Sequence, residues 1–220
     1  MSVSIKSNLL KNLFKNVYFI NGTAYAGKST MVKMLSEKHN GIFCGENYHS
    51  ELTDIIEIEH QPNLSYFQTM KDWQEFVNRT PEEYDAWIQG TSREAEQLEI
   101  LLLIRLAAEG KKIFVDTNIH LDTLWKISDP DHVAIMIAPQ SISVERFFDR
   151  SDPDKQFLLS VIDAAEDPEK TRQNFKDCLA LINSQDKYDM FANSGFFTVV
   201  RDDSRTPEET LAILENHFKL

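Results

Sequence analysis

The sequence VYFINGTAYAGKST, residues 17–30, joins three local signals in a row. Its first four residues are apolar and β-favouring, as in a buried strand of a parallel sheet. Gly22 and Gly27 then bracket a turn, and the residues from Lys28 onward have the spacing of a helix with one apolar face. This stretch therefore predicts a strand, a tight loop and a helix, which together form the first part of a β-α-β unit.

Residues 22–29 fit the pattern G-x-x-x-x-G-K-[ST], which a chain of this composition would contain by chance about 0.002 times. Two glycines let the backbone turn so that its N–H groups and the helix N-terminus face an anion. We expect Lys28 to reach the β- and γ-phosphates of a nucleotide and the Ser29 hydroxyl to bind Mg²⁺. The residues expected to hold the nucleotide are Gly22, Thr23, Ala24, Tyr25, Ala26, Gly27, Lys28, Ser29 and Thr30.

Outward from this loop, four more short apolar runs alternate with helical patterns. The predicted further strands are 42–44, 112–116, 133–138 and 196–200. The alternation indicates an α/β fold, namely a three-layer α/β/α arrangement around a five-stranded parallel sheet. Ligands of such sheets bind beyond the carboxyl ends of the strands. The segments expected to meet there are 21–29, 46–49, 116–120 and 201–204.

The chain is predicted to form a single domain, residues 1–220, because it has no repeat, low-complexity tract or glycine-rich linker. Between the second and third strands, about 50–110 is predicted to be helical, and Thr80-Pro81-Glu82-Glu83 is a capped helix start. A second helical region, rich in acidic residues, is predicted at about 146–186. Residues 1–16 lack the unbroken apolar stretch of a signal peptide and are expected to pack on the domain as an amphipathic leader.

Composition and charge exclude several classes of partner. Lys and Arg total 23 against 35 Asp and Glu, which gives a formal net charge of −12. This balance argues against nucleic acid and anionic membranes as partners, yet it allows a local cationic pocket.

Cys44 and Cys178 are too few for a disulfide framework or a four-cysteine zinc site. No apolar run reaches 18 residues, so the cytoplasm is the expected location. A homodimer is compatible with the sequence but not required by it.

Asp116 closes the apolar run Ile113-Phe114-Val115, so a strand is expected to deliver this carboxylate beside the glycine-containing loop. There it would bind Mg²⁺ or order its water ligands, as a Walker B aspartate does. Two alternatives remain open at this point. The carboxylate could face a second substrate, or it could simply cap the loop that follows the strand.

The loop, the strand order that it implies and the later arginines resemble those of the small-molecule P-loop kinases. This group of the P-loop NTPase superfamily includes nucleoside, nucleotide, shikimate, gluconate and chloramphenicol kinases. The resemblance implies an enzyme that transfers the γ-phosphate of ATP, with Mg²⁺, to a small-molecule acceptor such as an alcohol or a nucleoside- or nucleotide-like compound. It also implies that about 50–110 forms a helical acceptor-binding insert and about 146–186 a lid. The N-K-x-D of GTPases and the L-S-G-G-Q of ABC ATPases are missing.

Three further residues are candidates for catalysis under this resemblance. Arg146 and Arg150 lie four positions apart on one face of a predicted helix. Cations that close over a transferring phosphoryl group stabilise its negative charge, although an exposed, ion-paired helix face has the same pattern. Glu46 follows the second strand and is a candidate base for an acceptor hydroxyl, with a solvated loop acid as the alternative.

Aromatic residues of the 50–110 region have two interpretations. They could wall an acceptor pocket with Arg79 or Arg93 as its cation, or they could form a helical core, which is the commoner use of such spacing. The residues concerned are Tyr66, Trp73, Phe76 and Trp87. The sequence does not name the acceptor, because the D-G-F-P-R of adenylate kinases and the E-R-S of deoxynucleoside kinases are both missing. The alternative function is a nucleotide-binding regulatory or switch ATPase without a small-molecule acceptor.

Overall fold

The computed structural model describes residues 5–141, 147, 153–201 and 204–220. Its strands form one five-stranded sheet, parallel throughout, in the order β2-β3-β1-β4-β5. The strands are β1 (Val17–Gly22), β2 (Ile42–Cys44), β3 (Ile113–Asp116), β4 (Val133–Ile137) and β5 (Phe197–Val200). The predicted α/β class and the predicted five-stranded parallel sheet are thereby confirmed.

The helices of the described residues precede, separate and follow the strands. They are α1 (Ser7–Leu13), α2 (Lys28–Lys38), α3 (Tyr66–Thr69), α4 (Trp73–Val77), α5 (Pro81–Ala107), α6 (Leu121–Ile127), α7 (Pro153–Asp163), α8 (Pro168–Ile182), α9 (Gln185–Ala192) and α10 (Pro207–Phe218), with 3₁₀ segments at Tyr48–Ile55 and Pro130–His132. Among the described residues, no helix combines the length and the apolar character needed to cross a lipid bilayer.

Strand β1 lies at the centre of the sheet and aligns the segments that follow its neighbours. Ile20 is level with Asp116 of β3, and Gly22 is level with Met136 of β4. Successive side chains of β1 point to opposite faces, so Phe19 enters one core and Ile20 the other. The loop after β1 therefore begins at the same height as the carboxylate that ends β3.

Helices cover both faces of the sheet, an arrangement compatible with three layers. Helices α1, α5, α6 and α9 contribute to one core, and α2 and α10 contribute to the other. The helix after β1 and the helix after β3 thus lie on opposite faces, although these strands are neighbours. A crevice opens between strand ends where the connections diverge in this way, which is where α/β folds bind ligands.

A third, smaller core lies among helices and away from the sheet. It joins α3, α4 and the first half of α5 to α7 and α8, which lie between β4 and α9 in the chain. Its buried residues are Tyr66, Phe76, Val77, Tyr84, Ile162, Phe175, Cys178 and Leu179. Helix α5 has 27 residues and spans about 40 Å, so it reaches from this helical core to the face of the sheet.

The capping signals predict helix starts accurately, whereas the extent of helix in the 50–110 region is overestimated. Thr80 and Thr206 each form a capping box at the start of α5 and α10. Residues 56–65, in contrast, are not helical. The Glu94 carboxylate accepts hydrogen bonds from the N–H groups of Asn63 at 3.2 Å and Leu64 at 2.8 Å, which satisfies these two groups without a helix.

Replacing Gly22 with Ala is expected to destabilise the fold severely. A Cβ at Gly22 would stand 1.8 Å from the carbonyl oxygen of Met136, and the residue has φ +135°. Gly110 is a matched control, because it has φ +73° but nothing within 4 Å of its Cβ position. In equilibrium urea unfolding we expect a loss of more than about 3 kcal/mol for Gly22→Ala and about 1 kcal/mol for Gly110→Ala. Equal losses would show that contact with β4 is not the constraint.

Candidate functional site

The loop that follows β1, named here the Gly22–Ser29 loop, is tied to the end of β4. The N–H of Thr23 donates to the Met136 carbonyl at 3.1 Å, and the Thr23 hydroxyl accepts from the Ala138 N–H at 2.8 Å. Gly27 precedes α2 with φ +93° and provides no side-chain cap. The first turn of α2 thus offers N–H groups without an intrahelical acceptor, as an anion site requires.

Tyr25, at the tip of the loop, has a strained backbone conformation, because its φ of +62° lies in the left-handed region that residues with a side chain rarely adopt. Two cations from distant parts of the chain contact it. The Arg201 guanidinium donates to the Tyr25 carbonyl at 2.7 Å, and the Lys155 ammonium donates to the Tyr25 hydroxyl at 3.2 Å. The tip is therefore fixed from the end of β5 and from α7 together.

Lys28, Ser29 and Asp116 lie together at the crevice between β1 and β3. The Ser29 hydroxyl donates to Asp116 Oδ2 at 2.7 Å. The Lys28 ammonium stands 3.9 Å from Asp116 Oδ1 and donates to the Thr23 carbonyl at 3.1 Å. The structure thus brings together the lysine, the hydroxyl and the carboxylate that the sequence analysis assigned to phosphate and Mg²⁺.

Burial controls the charge of this site. Asp116 is 3% exposed, and this burial raises its pKa above the ordinary 3.8, against the opposing effects of Lys28 and of the Ser29 hydrogen bond. The neighbouring carboxylates of Glu46 and Glu99 push the pKa in the same direction as burial. A divalent cation would be attracted to the carboxylates of Asp116, Glu46 and Glu99, so the electrostatics of the site suit a metal ion.

The oxygen ligands available here fit Mg²⁺ bound together with phosphates. Mg²⁺ prefers hard oxygen ligands and is usually held by one or two carboxylates plus substrate phosphates and water. Ser29 and Asp116 provide one hydroxyl and one carboxylate, which lie within hydrogen-bonding distance of each other. Within the part of the chain that the structure describes, no group of three His, Cys, Asp or Glu side chains could hold a metal by itself.

Two clefts border the Gly22–Ser29 loop. The first, called the β5-side cleft, has a volume of about 320 Å³ and is mostly apolar where Met31, Met136 and Val199 line it. The second, called the α8-side cleft, has a volume of about 310 Å³ and is lined by Lys28, Ser29, Glu46, Tyr84, Phe147, Lys155, Leu179, Ile182 and Asn183 among others. Gly27 and Thr30 border both clefts, so the clefts adjoin where the loop leads into α2.

Of the other sequence candidates, the structure describes Glu46 and Arg93 but not Arg146 and Arg150. Glu46 is exposed and lines the α8-side cleft. Arg146 and Arg150 lie outside the described residues, although Phe147 between them is described and lines the same cleft. Arg93 is exposed, and its positive charge acts to lower the pKa of His120.

The aromatic residues of the 50–110 region belong mainly to the helical core. Tyr66 and Phe76 are buried there, and Trp73 and Trp87 pack against them. The Arg79 guanidinium lies 3.7 Å from the centre of the Tyr66 ring. The structure therefore favours the core interpretation of this group.

Lys155 carries no sequence signal that could have placed it at the site, because it is 130 positions from Tyr25. Arg201 lies in segment 201–204, which is expected at the strand ends, but its hydrogen bond to Tyr25, 176 positions away, is not predicted. Tyr84 and Trp87 lie three positions apart on α5, so the sequence pattern does not separate them. Of the two, only Tyr84 lines the α8-side cleft. Only the packing of α5 against α8 distinguishes the two.

Comparison of the chain with protein-family models, with curated proteins and with solved structures finds no match. What the site can do must therefore be inferred from its own residues and geometry.

The turn after Asp116 carries an ion pair that predicts a pH dependence. The Glu96 carboxylate accepts from His120 Nδ1 at 2.6 Å, and this hydrogen bond raises the pKa of His120 above the ordinary 6.5. Asp122 adds to the rise, and burial and Arg93 oppose it. The protonated imidazole is thus favoured in the folded state, so its stabilisation is complete below pH 6.5 and is lost as pH rises through the higher folded pKa.

His120→Gln is therefore expected to cost more stability at about pH 6 than at about pH 8.5 in urea unfolding. His217→Gln provides a control of opposite sign, because burial lowers the pKa of His217 below 6.5. The charges of His132 and Lys219 add to this lowering, and the Val133 carbonyl and Asp131 oppose it. The neutral His217 imidazole is favoured on folding, so its contribution falls as pH drops. Parallel pH profiles for the two variants would contradict these assignments.

Proposed function

We propose that the protein is a phosphotransferase that moves the γ-phosphate of ATP, with Mg²⁺, to a small-molecule acceptor. The observation that carries the proposal is the meeting of two clefts at the Gly22–Ser29 loop. A nucleotide in the β5-side cleft would extend its phosphates across Gly27 toward Lys28. An acceptor in the adjoining α8-side cleft would then face the terminal phosphate.

The residues of the nucleotide side have the chemistry that this role needs. Met31, Met136 and Val199 give apolar surfaces for a flat base. The ammonium of Lys28 and the free N–H groups of the first α2 turn would hold the β- and γ-phosphates, and Ser29 and Asp116 would hold the metal. Mg²⁺, when bound, neutralises charge that develops on the phosphates during transfer.

The residues of the acceptor side support transfer to an alcohol rather than to water. The acceptor oxygen would attack the γ-phosphorus while the bond to the β–γ bridging oxygen breaks and ADP leaves. Glu46 would accept the hydroxyl proton. Tyr84, Leu179 and Ile182 form an apolar wall that would exclude water from the reacting phosphate. Lys155 is a cation of this cleft that could stabilise the transferring group, since its ammonium is already at the tip of the loop.

A coupled assay of ADP release tests the proposal. ATP and Mg²⁺ are supplied with pooled nucleosides, nucleotides, sugars, shikimate-like acids, aminoglycosides and chloramphenicol-type alcohols. At least one pool is expected to raise ADP release well above the rate with ATP alone. Lys28→Ala should lower the stimulated rate at least about a hundredfold, because a phosphate-binding charge is lost. Lys33→Ala should leave it unchanged, since the Lys33 side chain is 68% exposed on the same helix.

Two results would contradict the proposal, each in a different way. If no pool stimulates ADP release while ATP still raises the melting temperature, and Lys28→Ala removes that shift, the site binds nucleotide without transferring phosphate to any acceptor class of the panel. The switch alternative would then replace the kinase. If ATP with Mg²⁺ binds to neither the wild type nor Lys33→Ala, the nucleotide site itself is wrong.

A further inference from the structure

Glu99 is a buried carboxylate that the proposed reaction does not use. It lies on α5 with 0% exposure. The Thr117 hydroxyl donates to Oε2 at 2.6 Å, and Asn118 donates from its backbone N–H at 3.2 Å and from Nδ2 at 3.0 Å. Among the described residues, the basic group within 4.0 Å is His49 Nδ1, at 3.7 Å. Burying a carboxylate is costly, so its three donors indicate a definite task.

The segment that Glu99 holds, residues 117–119, follows directly after Asp116. Strand β1 holds the same segment from its other side. The Thr117 N–H donates to the Ile20 carbonyl at 3.1 Å, and Asn21 Nδ2 donates to the Ile119 carbonyl at 2.7 Å. The segment is thus clamped between β1 and α5, and Asp116 enters the crevice from the start of that clamp.

We propose that Glu99 is a positioning residue that keeps the Asp116 carboxylate directed at Ser29, where Mg²⁺ would bind. The inference rests on the proposed function, because it needs Mg²⁺ and a nucleotide at this site. A carboxylate only accepts hydrogen bonds, so it satisfies all three donors of Thr117 and Asn118 at once. A glutamine at this position would turn an NH₂ group toward donors and loosen the α5 side of the clamp.

Glu96 provides a matched control one turn earlier on α5. Its carboxylate also accepts three hydrogen bonds, from the N–H of His120 at 2.9 Å, from His120 Nδ1 at 2.6 Å and from the Thr123 hydroxyl at 2.8 Å. These donors lie at the start of α6, four or more positions beyond Asp116. Glu96→Gln therefore disturbs a similar network on the same helix without touching residues 117 and 118.

The test measures ADP binding by calorimetry, without acceptor, over a series of Mg²⁺ concentrations. For Glu99→Gln the Mg²⁺ concentration at half-maximal effect is expected to rise about tenfold, as for other residues that support a metal ligand. The affinity for ADP without Mg²⁺ should stay within about twofold of wild type, because the β1 side of the clamp remains. Glu96→Gln should match the wild type in both respects.

Each other result overturns the inference. A Glu99→Gln protein with wild-type Mg²⁺ dependence would show that Glu99 does not position Asp116. Equal changes in Glu99→Gln and Glu96→Gln, or an equal loss of ADP affinity with and without Mg²⁺, would show a general structural role. Glu99→Gln also removes a negative charge that acts on Asp116, so Thr117→Val, which removes the hydroxyl at 2.6 Å from Glu99 and keeps that charge, must show the same rise. A rise in Glu99→Gln alone would show an effect of charge and overturn the inference. Thr117→Val also carries the prediction should Glu99→Gln fail to fold. If the affinity of the wild type for ADP does not depend on the Mg²⁺ concentration, the proposed function is overturned as well.

Discussion

The hydrogen bond from the Ser29 hydroxyl to Asp116, at 2.7 Å, connects the start of α2, which follows β1, to the end of β3. The helices that follow these two neighbouring strands lie on opposite faces of the sheet. Every other feature of the site is arranged around this contact. Gly22 lets the loop begin against β4, and the β1–β3 register brings Asp116 to the height of the loop. Burial then raises the pKa of Asp116. The fold therefore holds a carboxylate and a hydroxyl together, and the negative charge of Asp116 with those of Glu46 and Glu99 nearby favours a cation there.

Helix α5 links this contact to the rest of the molecule. Near its N-terminus Tyr84 belongs to the helical core and lines the α8-side cleft, and farther along Glu99 holds the segment after Asp116. The same helix thus contacts the cleft proposed for the acceptor and supports the carboxylate proposed for the metal. A rigid helix of this length can keep the two at a fixed separation, which a reaction between two bound substrates requires.

The sheet and the loop could be predicted because their signals are local. Apolar runs mark the buried strands, capping residues such as Thr80 mark helix starts, and the spacing of Gly22, Gly27, Lys28 and Ser29 marks the loop. The walls of the clefts could not be predicted in this way. Whether Tyr84 or Trp87 faces a cleft depends on how α5 packs against α8. The contacts of Lys155 and Arg201 with Tyr25 depend on the closing of the whole chain. The non-helical path of residues 56–65 could not be predicted for a similar reason, since the N–H groups of Asn63 and Leu64 bind Glu94, about thirty positions away.

The most direct test of the account is the effect of Mg²⁺ on ADP binding to the wild type and to Ser29→Ala. The hydroxyl of Ser29 is both the partner of Asp116 and a proposed ligand of the metal. Mg²⁺ should tighten ADP binding to the wild type, and Ser29→Ala should lose most of that gain while keeping its affinity for ADP alone. An equal gain in both proteins, or no gain in the wild type, would contradict the assignment of this pair to a metal–nucleotide site.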